Sequence, residues 1–203
     1  MKYLKMLGLA AISALAMMAV TAGTASATTL EVDGVTKNSK VEISASLKAG
    51  NSLPLTSTSG GTLFNTCTGS TVGGHTGTTV EGHSTGPYTG ATVTGPITTL
   101  TFTGCNNNVT PHKMGTLHIE HIKGTTNGTL RSSGAEVTSY SAIFGTYLNC
   151  KTGEGTHLGT LTGVGTGKHA SMHVNAALNC GITSALWSGT YTVTSPTGLG
   201  VSA

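Results

Sequence analysis

From residue 41 onward the chain keeps returning to one pattern, in which apolar residues alternate with hydroxyl-bearing or charged ones. Val41, Ile43, Ala45 and Leu47 interleave with Lys40, Glu42, Ser44, Ser46 and Lys48. Successive strand side chains point to opposite faces, so a period of two describes a strand with one dry face and one wet face. The pattern recurs at residues 97–104 (ITTLTFTG) and from Leu117 to Ile122. It returns at Ala170, Met172, Val174, Ala176 and Leu178, and again at Trp187, Gly189, Tyr191 and Val193. Thr suits the wet face, because its β-branch fits the pleat while its hydroxyl meets water. Asp33-Gly34, Asn127-Gly128 and Ser133-Gly134 are expected to supply the φ > 0 positions of tight hairpin turns. Past residue 27 no stretch carries a capped apolar stripe of helical period. Short strands with turn signals about every ten residues predict an all-β chain, an antiparallel sandwich or open barrel.

Such a chain must stay in solution with few charges. Charged residues make up 8% of the 203, against roughly 25% in ordinary soluble proteins. Thirty-nine Thr and 30 Gly take their place. The formal net charge is +3, with two of the positive charges on Lys2 and Lys5 and no basic block elsewhere. That distribution argues against nucleic acid as a partner.

The first 27 residues follow a different logic. Lys2 and Lys5 precede an apolar run from Leu7 to Val20, and the small, polar stretch TAGTASA follows it. Ala25 and Ala27 occupy the minus-three and minus-one positions of an A-x-A cleavage site, making Thr28 the expected mature N-terminus. The apolar run falls short of the roughly 20 residues that span a bilayer, so a cleaved signal helix is expected in place of a transmembrane anchor. The expected organisation is a signal peptide at 1–27 and a mature secreted domain at 28–203.

Secretion then governs the reading of the cysteines. All four (Cys67, Cys105, Cys150 and Cys180) lie in the mature part, and an even count in an exported chain reads as two disulfides. Three connectivities are open. Cys67–Cys105 and Cys150–Cys180 are favoured because each pair brackets a Gly/Thr-rich segment followed by an alternating strand. Zinc would need closely spaced ligands, and no two cysteines are near one another in sequence. The echo between the bracketed segments suggests two similar halves, 28–110 and 111–203, joined near NNNVTPHK.

Candidate chemistry is sparse. Gly82-His83-Ser84-Thr85-Gly86 has the form G-x-S-x-G, but the serine of that motif works on a strand-to-helix elbow and no helix follows here. His169 and His173 share one strand face, opposite Ala170, Met172 and Val174, while His118 and His121 fall on opposite faces. Strand residues four apart are about 13 Å apart, too far to chelate one ion. The acidic side chains Glu31, Asp33, Glu42, Glu81, Glu120, Glu136 and Glu154 contain no pair marked for glycoside hydrolysis. T-x-T elements such as Thr99-Leu100-Thr101 lack the fixed spacing of a solenoid. Trp187, Tyr191 and Tyr140 alternate as core residues would, so no exposed aromatic platform for a glycan is expected. No catalytic residue, metal or cofactor is assigned from the sequence.

The segments ATTLEVDGV, KVEISASLKAG, CTGSTVGG…TLTFTGC, GTTNGTLRSSGAEVT, CKTGEGTHLGTLTG and ALWSGTYTVTSPTGLGV together resemble a family of short secreted Gly/Thr-rich actinobacterial proteins. The C-T-G-x-T…FTGC arrangement alone is similar to secreted bacterial proteins named as activators of alkane oxidation. The resemblance implies an extracellular β protein and carries no catalytic residues. The expected function is non-enzymatic binding of an apolar, glycan or cell-envelope partner, outside the cell or at its surface. The alternative is a small secreted hydrolase.

Overall fold

A computed structural model of the chain describes residues 28–76, 80–82 and 91–203. The signal segment with Ala25 and Ala27, and His83 and Ser84 of the G-x-S-x-G motif, lie outside the described residues. Every regular element within them is a strand. In chain order these are β1 (Thr29–Val32), β2 (Val35–Lys37), β3 (Glu42–Leu47), β4 (Leu53–Ser57), β5 (Leu63–His75) and β6 (Val80–Gly82). There follow β7 (Ala91–Cys105), β8 (Val109–Lys113), β9 (Thr116–His121), β10 (Gly128–Ser133) and β11 (Glu136–Ser141). The chain continues through β12 (Thr146–Lys151), β13 (Thr156–Thr162), β14 (Ser171–Asn179), β15 (Ser184–Ser195) and β16 (Leu199–Ser202).

Register reduces most of these strands to eight paths around a ring. β3 and β4 run in one direction between the same two neighbours, β5 and β15, so they form a single path broken at residues 48–52. β10 and β11 likewise form one path, beside another made of β12 and β13. β8 and β9 make a further path, and β5 (prolonged by β6), β7, β14 and β15 make the other four. Each path is antiparallel to the next in sequence, and β15 pairs back onto β3 and β4. The fold is thus an eight-stranded up-and-down barrel whose ring is closed. The sequence pointed to a sandwich or an open barrel, because alternation shows which face is dry and leaves open whether the last strand finds the first.

Inward positions hold the core: Leu130, Leu161 and Val193 are almost wholly buried, with Met172 and Tyr191 beside them. Outward positions hold threonines, such as the cross-strand pair Thr71 and Thr101, whose hydroxyls are 2.6 Å apart. This is the reverse of a transmembrane barrel, which turns its apolar side chains to lipid. One end is capped by a three-stranded sheet in the order β16-β1-β2, which buries Leu30, Leu199 and Val201 against the barrel. The Val201 N–H donates to Thr126 O, and the His121 N–H donates to Thr28 Oγ1. At the other end Phe144, from the hairpin at 142–145, lies 5.4 Å from Phe64 between ring centroids.

The disulfides are Cys67–Cys105, between β5 and β7, and Cys150–Cys180, between β12 and the end of β14. Their loops of 38 and 30 residues are each worth roughly 4 kcal/mol in the chain-entropy model. They sit four paths apart, on opposite sides of the ring. Both proposed halves contribute strands to the one closed ring. A four-path repeat would be joined at residues 122–127, whereas the echo in the sequence placed the join near 106–113.

The expected turns hold in part. Asp33 (φ 55°) and Gly34 (φ 74°) make the β1–β2 hairpin as anticipated. Asn127-Gly128 is not the turn of its hairpin: Gly128 opens β10, and the positive φ falls at Gly124. Gly134 (φ 73°) does not reverse the chain either, but kinks the path between β10 and β11. Gly159 is the tightest such point. It sits at φ 145° beside Leu158, the extra residue of β13 where the register with Leu130 and Arg131 shifts, and a Cβ there would run into the His173 carbonyl. Gly159→Ala should cost about 1–3 kcal/mol, read as a lower urea midpoint with an unchanged m-value.

Candidate functional site: an apolar cavity with a lateral opening

Eight strands make a ring just wide enough for side chains to fill, or to leave room for one small ligand. Here small residues and a wall that splays leave room. A cavity of about 140 Å³ runs along the barrel, lined by Ala45, Val72, Leu100, Met172, Val174 and Trp187 among others. A second, of about 30 Å³, lies toward the end holding Phe64. Trp187, Val137, Cys150 and Leu178 border both, so Trp187, tilted at 45° against Phe102 with ring centroids 4.9 Å apart, stands between them.

Most polar groups facing inward are paired, although the buried Ser141 Oγ has no hydrogen-bond partner. The Tyr191 hydroxyl donates to Ser70 Oγ at 3.0 Å, and burial pushes the phenol up to about 12. Asn65 is saturated: its Nδ2 donates to Asn107 O and Ser139 Oγ, and its Oδ1 accepts from the Thr66 and Asn107 N–H groups. A buried amide with four bonds fixes the hairpin at 106–108 against β5 and β11.

That hairpin bounds a split in the wall. β7 pairs with β5 from Ile97 to Cys105 and with β9 from Thr92 to Pro96, while β8 pairs with β11. Among the described residues no ladder joins β7 to β8. The split is closed at its foot by the Ile97 N–H donating to Gly115 O, and at its head by the Asn65 bonds. Ile97 and Leu100 on one lip and Met114 on the other line the larger cavity, so the interior reaches the split. β8 is held on its far side by Glu136, which lies 3.5 Å from both Lys113 and Lys151 and accepts from Asn149 Nδ2. The Asn149 hydrogen bond, helped by the two lysines, keeps the Glu136 carboxyl below the usual carboxylate range.

The sequence candidates lie elsewhere. On the outer face Thr94, His118, Arg131 and His157 form one cross-strand row. Thr94 Oγ1 and His118 Nδ1 are 3.3 Å apart there, and Arg131 lies 3.9 Å from Glu120. His169 Nδ1 bonds to Val193 O, His121 Nε2 to Thr125 O, and His112 and His173 bond to threonine hydroxyls. No group of three or more His, Cys, Asp or Glu is placed to hold a metal among the described residues. Glu42 pairs with Lys40 at the surface. Tyr140 does not join the core: Val137, Ser139 and Ser141 take the inward positions of β11, and Tyr140 packs edge-on against the exposed Tyr147. Alternation misplaced it because serine, a residue expected outside, holds the inner face of that strand.

The cavity itself was not readable from the chain. Its lining comes from all eight paths and no two contributors form a motif. Comparison with protein-family models, curated proteins and solved structures finds no match to this chain. The class the geometry defines is a disulfide-stapled up-and-down β-barrel with an apolar interior.

Two outcomes follow from these polar contacts. Tyr191→Phe should lose about 1 kcal/mol by stranding Ser70 Oγ, and should remove from the ultraviolet titration the phenol that ionises near 12. The folded phenol binds its proton more tightly than the unfolded one. Stability should thus be full below pH 10 and fall between 10 and about 12, at roughly 1.4 kcal/mol per unit. Glu136 has the opposite sign: its tie to β8 holds above the carboxylate range and fails as pH falls through the lowered value. Protection of the Val109–Lys113 amides, measured against their intrinsic exchange rates at each pH, should fall in acid, and in Glu136→Gln it should be low already at neutral pH.

Proposed function

We propose that the chain is a secreted, non-enzymatic binding protein that holds a small apolar molecule inside its barrel. The observation that carries this reading is the 140 Å³ cavity, apolar in its lining, built from all eight paths and bordered by the lips of the β7–β8 split. An apolar cavity of about 150 Å³ accepts benzene, so the fitting class is a single ring or a short hydrocarbon chain without charge. A bilayer lipid is too large. The signal-like leader, the paired cysteines and the scarcity of charge support a place outside the cell. His112, His121, His169 and His173 spend ring nitrogens on backbone carbonyls and threonines, which favours binding over hydrolysis.

Trp187 is the only tryptophan and borders the cavity, so it reports occupancy directly. Titration with benzene or n-hexane should change its emission saturably. Ala176→Leu, which fills the space beside Trp187, should abolish the change while the protein stays folded. An unsaturable response, or one equal in the two proteins, would place the molecule elsewhere and end this reading.

A further inference from the structure

The barrel end that carries Phe64 is unlike the rest of the surface. Six large apolar side chains are strongly exposed among the described residues, and five of them sit at this end: Leu63, Ile143, Phe144, Tyr147 and Ile182. Ile182 is 72% exposed and Ile143 55%. The connecting hairpins here are 58–62 (TSGGT), 106–108 (NNN), 142–145 (AIFG) and 180–183 (CGIT), with no charged residue in any of them. They form one rim. Phe144 reaches Phe64 beside Leu63, and the Thr58 N–H donates to Ser184 O, joining the 58–62 and 180–183 turns.

Below the rim, polarity changes in order along the outer face of β8, β11 and β12. Ile143 and Phe144 are at the tip, and the next row is the pair Tyr140 and Tyr147. Then come Thr138, Asn149 and His112, and beyond them Lys113, Glu136 and Lys151. Lys151 is four residues from Tyr147, about 13 Å along the strand. Two lysines, 71% and 55% exposed, share one carboxylate, so this last row is net positive. Apolar tips, then tyrosines, then cations repeat the sequence of environments met on leaving a bilayer: acyl chains, the interface that tyrosine favours, and headgroup phosphates.

We infer that this rim docks on a lipid bilayer containing anionic headgroups, inserting Ile143, Phe144 and Ile182. A second copy of the chain would offer the tips a matching apolar rim but nothing for the lysine row to meet. The surface is separate from the cavity, and the inference stands whether or not the barrel holds a ligand.

The test uses residues 28–203, which contain every described strand, since the apolar run Leu7–Val20 would itself bind lipid. Sedimentation with vesicles of phosphatidylcholine and phosphatidylglycerol should carry the protein into the pellet. Ile143→Ser with Ile182→Ser should weaken this roughly tenfold or more, because both side chains leave water only on insertion. Vesicles of phosphatidylcholine alone should bind more weakly. Both substituted positions are exposed, so circular dichroism and thermal unfolding should match the parent. The inference is overturned if the parent stays in the supernatant or if the double variant binds as well. Self-association in light scattering that the variant abolishes, without vesicle binding, would also overturn it and assign the rim to a second copy.

Discussion

The ladder between β15 and β3–β4 turns a linear series of hairpins into a ring, and the other features depend on that closure. An eight-path sheet left open would expose two edges rich in unpaired N–H and C=O groups, which is the usual route to aggregation. Closing it satisfies both edges and leaves the inward faces nothing to pack against except each other. A small core results, divided along the axis into two clusters that meet at Leu158, Val174 and Trp187. Closure also demands strong coiling, and the chain meets that demand by breaking paths at residues 48–52, 114–115, 134–135 and 152–155. Gly115 and Gly134, both with positive φ, sit in two of those breaks.

The same geometry accounts for the cavity and its opening. Coiling around a ring this narrow must be uneven, and here the unevenness is concentrated between β7 and β8, whose facing edges diverge. Polar groups hold the divergence in place. Asn65 fixes the head of the split, and Glu136 with its two lysines holds β8 from behind. An opening bounded by bonded groups keeps its shape. The lips, by contrast, are Ile97, Leu100 and Met114, side chains able to change rotamer at little cost.

Charge is used sparingly and by position. Glu42, Glu120 and Glu136 sit beside Lys or Arg, Asp33 accepts from the Gly167 N–H, and the rim hairpins carry no charge. Solubility falls instead to threonine hydroxyls on the barrel wall. That division lets one end stay apolar without the molecule as a whole becoming so.

Much was legible in the chain by itself. The alternation at Val41–Leu47, Leu117–Ile122 and Trp187–Val193 determined all-β structure and the inward faces, because the strand period is a local property of the backbone. The even, well-separated cysteines determined two disulfides, and the bracketing pattern favoured the pairs that formed. Tertiary structure alone decided the rest. Closure of the ring depends on β15 meeting β3, residues about 150 apart whose pairing leaves no local mark. The inward serines at 70, 132 and 139 and the outward Tyr140 follow from which strand faces which, since a partner hydroxyl or amide receives each of those serine hydroxyls inside. The cavity is the clearest case: it is a volume left over by packing, and a residue bordering it looks in sequence like any other core residue.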